Sequence, residues 1–222
     1  VVAHTSGATL FSSAVAWSFA LAIMCAPLFH GGNIPLAWGI NAAVFGALLV
    51  ALAGVAGLGG GLPHAWRKLG WIAIAASVVL IWALVQASGW TPSSWHHPAW
   101  ERLTGMARPQ PEGAMSADPG RTEIAALRLA TTFAVFLCAA MLGQDRVWAR
   151  RILIAVAVAG AVQAVAALLS FASTRQLSEV AASPVTGSFV NRNHFAIYLG
   201  LALVCGWSIL LDMTRRALKG KH

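Results

Sequence analysis

Long, nearly unbroken apolar runs, separated by short stretches rich in Gly, Pro and charge, set the rhythm of this 222-residue chain. Six such runs lie near residues 8–29, 34–58, 71–88, 124–142, 152–171 and 194–211. About 20 residues of α-helix, each rising about 1.5 Å, match a hydrocarbon core of about 30 Å. Each run therefore predicts a membrane-crossing helix. None alternates apolar and polar residues as the strands of a membrane β-barrel do. The pattern predicts an all-α bundle of about six transmembrane helices, forming a single domain over residues 1–222.

The connections are unequal. "HGGN" leaves room only for a tight turn between the first two spans, whereas residues 90–122 form by far the longest loop. A loop of that length normally carries function or its own secondary structure. It opens "WTPSSWHHPAWERLTG", where Ser93 or Ser94 is placed to cap a short helix and Trp90, Trp95 and Trp100 suit the headgroup layer. A short interfacial helix is expected there, followed by an irregular stretch containing Pro109, Pro111 and Pro119. Within the second span, Ala42 and Gly46, or Ala47 and Ala51, lie four apart on one helix face and offer close backbone approach within ordinary bundle packing.

Composition excludes a water-soluble globule: 58% of residues are hydrophobic and 10% charged, with a mean hydropathy of +0.71. The basic residues orient the bundle. Arg67 and Lys68, then Arg146, Arg150 and Arg151, then Arg215, Arg216, Lys219 and Lys221 fall in alternate connections. The positive-inside rule places these segments and both termini in the cytoplasm, and residues 90–122 outside it. The net charge of +8 then reads as a topology signal and a contact with anionic membrane lipids, not with nucleic acid. Cys25, Cys138 and Cys205 fall inside predicted spans and imply no disulfide framework. The first span lacks a basic leader and reads as a retained helix. No Asp, Glu or Lys lies mid-span, which argues against an ion pump or transporter. His96 and His97 are adjacent, so on a helix they point about 100° apart and do not make a metal pair. No cofactor, metal or catalytic residue is expected from these patterns.

The chemistry concentrates in "SPVTGSFVNRNHFAIYLG", residues 183–200. Asn191, Arg192, Asn193 and His194 meet at the start of the last span, where a helix N-terminus offers free N–H groups and partial positive charge. A guanidinium beside amides and an imidazole suits a phosphate or diphosphate whose lipid tail stays in the bilayer. The plainer alternative is that Ser188, Asn191 or Asn193 caps the helix while Arg192 snorkels to headgroups. Arg128, about a turn into the fourth span, either snorkels outward or lines the same pocket.

"TGSFVNRNHFAIYLGLAL" resembles the segment "G-x-F-x-N-x-N-x-F-A-x-x-L" of the O-antigen ligase and O-antigen polymerase family. Upstream, "WHHPAW" and "MSADPGRTEIAALRLATTFAVFLCAA" are similar to that family's outer loop and following helix, which a short "S-x-D-P-x-x-T" stretch introduces. The similarity is collinear from about Trp95 to Leu203, and the first three spans match only in hydropathy. The resemblance implies a bacterial inner-membrane protein that handles glycans carried on undecaprenyl diphosphate at the periplasmic face. It places Asn191, Arg192, Asn193 and His194 near the polyprenyl diphosphate.

Family enzymes continue for several more spans and a large outer loop that supplies sugar-handling residues, whereas this sequence ends "DMTRRALKGKH". No spacing forces an acid to meet Arg192, although glycosyl transfer needs a base or positioning group together with cations. The expectation is a non-catalytic accessory subunit, lacking the carboxyl-terminal catalytic half and bound to other membrane-protein subunits of a respiratory or photosynthetic type of complex. The alternative is the amino-terminal portion of an active ligase or polymerase.

Overall fold

The computed structural model describes residues 3–28, 30–32, 34–58, 64–103, 112–177 and 187–219. They form seven α-helices, with no strand among the described residues: α1 (Ala3–Cys25), α2 (Pro35–Leu58), α3 (His64–Ala87), α4 (Ala99–Leu103), α5 (Pro119–Leu142), α6 (Arg146–Leu177) and α7 (Arg192–Lys219). α2, α3, α5, α6 and α7 are long and apolar enough to cross a membrane. The described apolar part of α1, Phe11–Cys25, is shorter. The architecture is all-helical and consistent with a multi-pass membrane protein. Val78, Ile81 and Leu84 on α3, and Leu201, Leu203 and Val204 on α7, stay exposed. Helices apolar on faces that no protein covers are suited to lipid, where their backbone groups are satisfied internally.

Several helices outrun their apolar runs. α6 starts at Arg146 and ends at Leu177, against an apolar run of 152–171. The added turns contain no Pro or Gly, so nothing stops the helix where hydropathy falls. Asp145 starts α6 by accepting the Val147 N–H on its carboxylate at 2.7 Å.

The chain divides into two compact units, Val1–Gly61 with Leu137–His222, and Leu62–Phe136. In the first, α6 packs along both α7 and α1, and α1 packs on α2. Phe19 meets Phe45 edge-on at 5.9 Å, while Ala155, Ala159, Ala167, Ala202 and Cys205 are buried. Gly160 marks a close approach of α6 to α7, because an added Cβ would collide with the Ala202 side chain. On α2, Ala47 is exposed and a Cβ on Gly46 would meet nothing within 4 Å, so neither of these marks a close approach.

The second unit contains α3, α4 and the first part of α5, joined by the long loop. Ser93 and Ser94 do not cap a helix: they lie inside a 3-10 turn, Ser93–Trp95, that has no side-chain cap. Pro92, with φ −53°, already starts that turn. His97 takes the capping role for the five-residue α4, its Nδ1 accepting the Ala99 N–H at 3.2 Å. Trp100 Nε1 donates to the Ser116 carbonyl at 2.9 Å, and the Ser116 N–H donates to the Gln86 carbonyl at 2.9 Å. Trp90 remains 83% exposed.

"SADPGRT" acquires a plain physical purpose as the start of α5. Asp118 accepts the Arg121 N–H at 3.0 Å and pairs with the Arg121 guanidinium at 3.2 Å. Ser116 Oγ accepts the Asp118 N–H at 3.1 Å and lies 2.7 Å from Thr122 Oγ1. Pro119 occupies the first helical position, where its missing N–H costs nothing.

Candidate functional site

α7 begins in a turn that long-range contacts fix in place. Gly187 has φ +55°, a left-handed conformation that suits glycine, and a Cβ there would lie 3.0 Å from the Phe195 ring. Ser188 Oγ lies 2.6 Å from the Pro27 carbonyl oxygen and 3.0 Å from the side-chain amide of Gln163. Gln163 is 3% exposed, so Ser188 satisfies a buried polar group in the middle of α6. The Phe189 ring stacks at 5.6 Å from Phe195 and 5.3 Å from Tyr198. It also covers Gly31, which has φ +63° and where a Cβ would come 2.5 Å from the ring.

Asn191 then caps α7. Its Oδ1 accepts the Asn193 N–H at 2.8 Å, and its carbonyl accepts the Phe195 N–H at 3.1 Å. Of the residues that the sequence singles out, Asn191 is therefore committed to the helix start. The side chains of Arg192, Asn193 and His194 are exposed. Successive helical residues turn by about 100°, so these three fan around the mouth instead of converging on one point. What they share is the cluster of N–H groups at the helix start. Among the described residues Arg192 makes no ion pair.

Arg128 lies on α5 in the other compact unit. Its side chain is exposed, and its carbonyl accepts the Thr132 hydroxyl at 2.9 Å.

Gln163 and Tyr198 carry no signal of their own in the sequence, and Ser188, a candidate cap there, instead bonds to Pro27 and Gln163. Tyr198 Oη is buried without a hydrogen-bond partner among the described residues, which costs about 1–3 kcal/mol.

Chemically, the mouth offers helix N–H groups beside an exposed guanidinium that makes no ion pair among the described residues. Both favour an oxyanion. Comparison with protein-family models, curated proteins and solved structures finds no match for this chain.

Proposed function

We propose that this chain is an O-antigen ligase/polymerase-like protein of the bacterial inner membrane whose α7 mouth receives the diphosphate of a polyprenyl-linked glycan. In this reading it crosses the membrane six times with both termini in the cytoplasm, and acts as a non-catalytic accessory subunit beside other membrane proteins. Its basic ends support that orientation: Arg146, Arg150 and Arg151 start α6, and Arg215, Arg216 and Lys219 close α7. The α7 start, at the other end of both helices, then faces the periplasm.

One observation carries the reading, a division of labour within "TGSFVNRNHFAIYLG". Gly187, Ser188, Phe189, Asn191 and Phe195 hold the turn, which leaves Arg192 exposed beside the helix N–H groups. The mouth is thus built without spending its cation. Transfer would also need a base at the acceptor hydroxyl. Among the described residues, Asp118 accepts the Arg121 N–H at the start of α5 and pairs with its guanidinium, so it is committed to that helix end.

The fit of the turn to the family pattern favours a second reading, the lipid-binding portion of an active ligase or polymerase. Gene deletion separates the two. The accessory reading expects an unchanged surface glycan profile and an altered membrane complex on native gels. Lost glycan attachment or polymerisation would establish the enzymatic reading instead.

A further inference from the structure

Three cationic and aromatic groups meet at the opposite end of α6 from the mouth. The Arg151 guanidinium lies 5.0 Å from the Trp17 ring centroid and 4.5 Å from that of Trp148. The two indoles meet edge-on at 5.5 Å with their planes 79° apart. Two indoles so close to the guanidinium hold it by cation–π attraction, while its N–H groups keep their hydrogen-bonding capacity. Arg150, the preceding residue of α6, has its Nε buried without a hydrogen-bond partner among the described residues. Among the described residues neither arginine forms an ion pair. Asp145, the nearest acid in the chain, is occupied in capping the Val147 N–H.

A guanidinium held against two indoles, with no ion pair among the described residues, calls for an oxyanion. The identity of that anion follows from position. Trp17 is 55% exposed and apolar Leu21 on the same helix is 62% exposed, so the site opens onto an uncovered apolar face. A Cβ on Gly187 would lie 3.4 Å from the Ala167 side chain, and from Arg151 to Ala167 α6 rises roughly 24 Å at 1.5 Å per residue. That is close to the hydrocarbon thickness of about 30 Å, which puts Arg151 and the mouth at the two boundaries of one bilayer. Indoles and arginines at such a boundary match a phospholipid, with phosphate on the cations and acyl chain along the apolar face.

We infer that Arg151, with Trp17 and Trp148, forms a binding site for the phosphate of an anionic phospholipid, separate from the α7 mouth. The inference stands whether or not the mouth takes a polyprenyl diphosphate.

The test is native mass spectrometry of the full chain released from detergent, with phosphatidylglycerol, phosphatidylcholine or inorganic phosphate added in turn. The parent is expected to retain phosphatidylglycerol, and neither phosphatidylcholine nor inorganic phosphate should displace it. R151Q should lower that retention about fivefold or more, given about 1 kcal/mol per basic residue at a membrane surface and more for a direct bond. R121Q, which removes an equal charge at the start of α5, should leave it unchanged. Equal retention in R151Q and parent overturns the inference, as does a loss seen in R192Q and not in R151Q, which would assign the lipid to the mouth. If R151Q does not fold, R151K is read in the same way, since it keeps the charge and loses the planar fork. A drop of about threefold or more is expected, and no drop overturns the site.

Discussion

Ser188 Oγ lies 2.6 Å from the carbonyl oxygen of Pro27, joining the turn before α7 to the end of the first apolar helix across 161 residues of chain. Carbonyls at a helix end lack intrahelical partners, so this hydroxyl supplies what the local chain does not. A serine has one proton to give. With that proton on Pro27, the contact with Gln163 at 3.0 Å is satisfied when the Gln163 amide presents its nitrogen.

Ser188→Ala should therefore lower stability by about 1–3 kcal/mol, because it strands the Pro27 carbonyl and the buried Gln163 together. The check is thermal unfolding in detergent. Ser77→Ala, which removes only an exposed hydroxyl bonded to the Ala73 carbonyl within α3, should shift the midpoint little. Equal shifts in the two variants would show that the Ser188 link contributes nothing.

Gly31→Ala should destabilise by about 1–3 kcal/mol, since the substitution strains a backbone at φ +63° and drives a methyl into the Phe189 ring. Gly39→Ala, where a Cβ meets nothing within 4 Å, should be neutral or stabilising inside α2. Measured midpoints in the reverse order would contradict the seating of Phe189 on Gly31.

Gly160→Ala should weaken the packing of α6 on α7, because the new methyl and the Ala202 methyl compete for the same space. Gly206→Ala should be tolerated, as its Cβ would lie at ordinary contact, 3.9 Å, from Ala157. Limited proteolysis at the α6–α7 connection distinguishes them, with faster cleavage expected only for Gly160→Ala.

Asn191→Ala should cost about 1 kcal/mol through loss of the cap, and Asn191→Asp should retain most of it. The Asp variant should nonetheless bind an anionic lipid less well than the parent, because it places a negative charge at the mouth. Thermal midpoints read the first effect and retention of undecaprenyl diphosphate in native mass spectra reads the second. Arg192→Gln should lower that retention about tenfold without a matching loss of stability. Unchanged retention would leave Arg192 a snorkelling residue.

Helix content was legible because apolar runs near 20 residues report directly on the hydrocarbon they cross. Helix ends were less so. Hydropathy stops at residue 171 while α6 continues to Leu177, since Ser, Thr, Arg and Gln are compatible with helix. The α7 start was readable as a polar cluster, and residue type narrowed its cap to Ser188, Asn191 or Asn193, of which Asn191 takes the role. Its anchoring was not: Pro27, Gln163 and Ser188 meet only in three dimensions, and no local periodicity encodes that meeting. The same holds for Trp17 against Arg151. The Ser93/Ser94 cap failed because Pro92 set a 3-10 turn first, leaving His97 to start α4.

The central claim is that the exposed Arg192 end of α7 opens on the periplasmic side of the inner membrane. It is tested most directly by placing Arg192→Cys in a background where Cys25, Cys138 and Cys205 are replaced by Ser or Ala. A membrane-impermeant maleimide is then applied to spheroplasts before and after permeabilisation. Full labelling of intact spheroplasts is predicted, and labelling that appears only after permeabilisation would contradict the account.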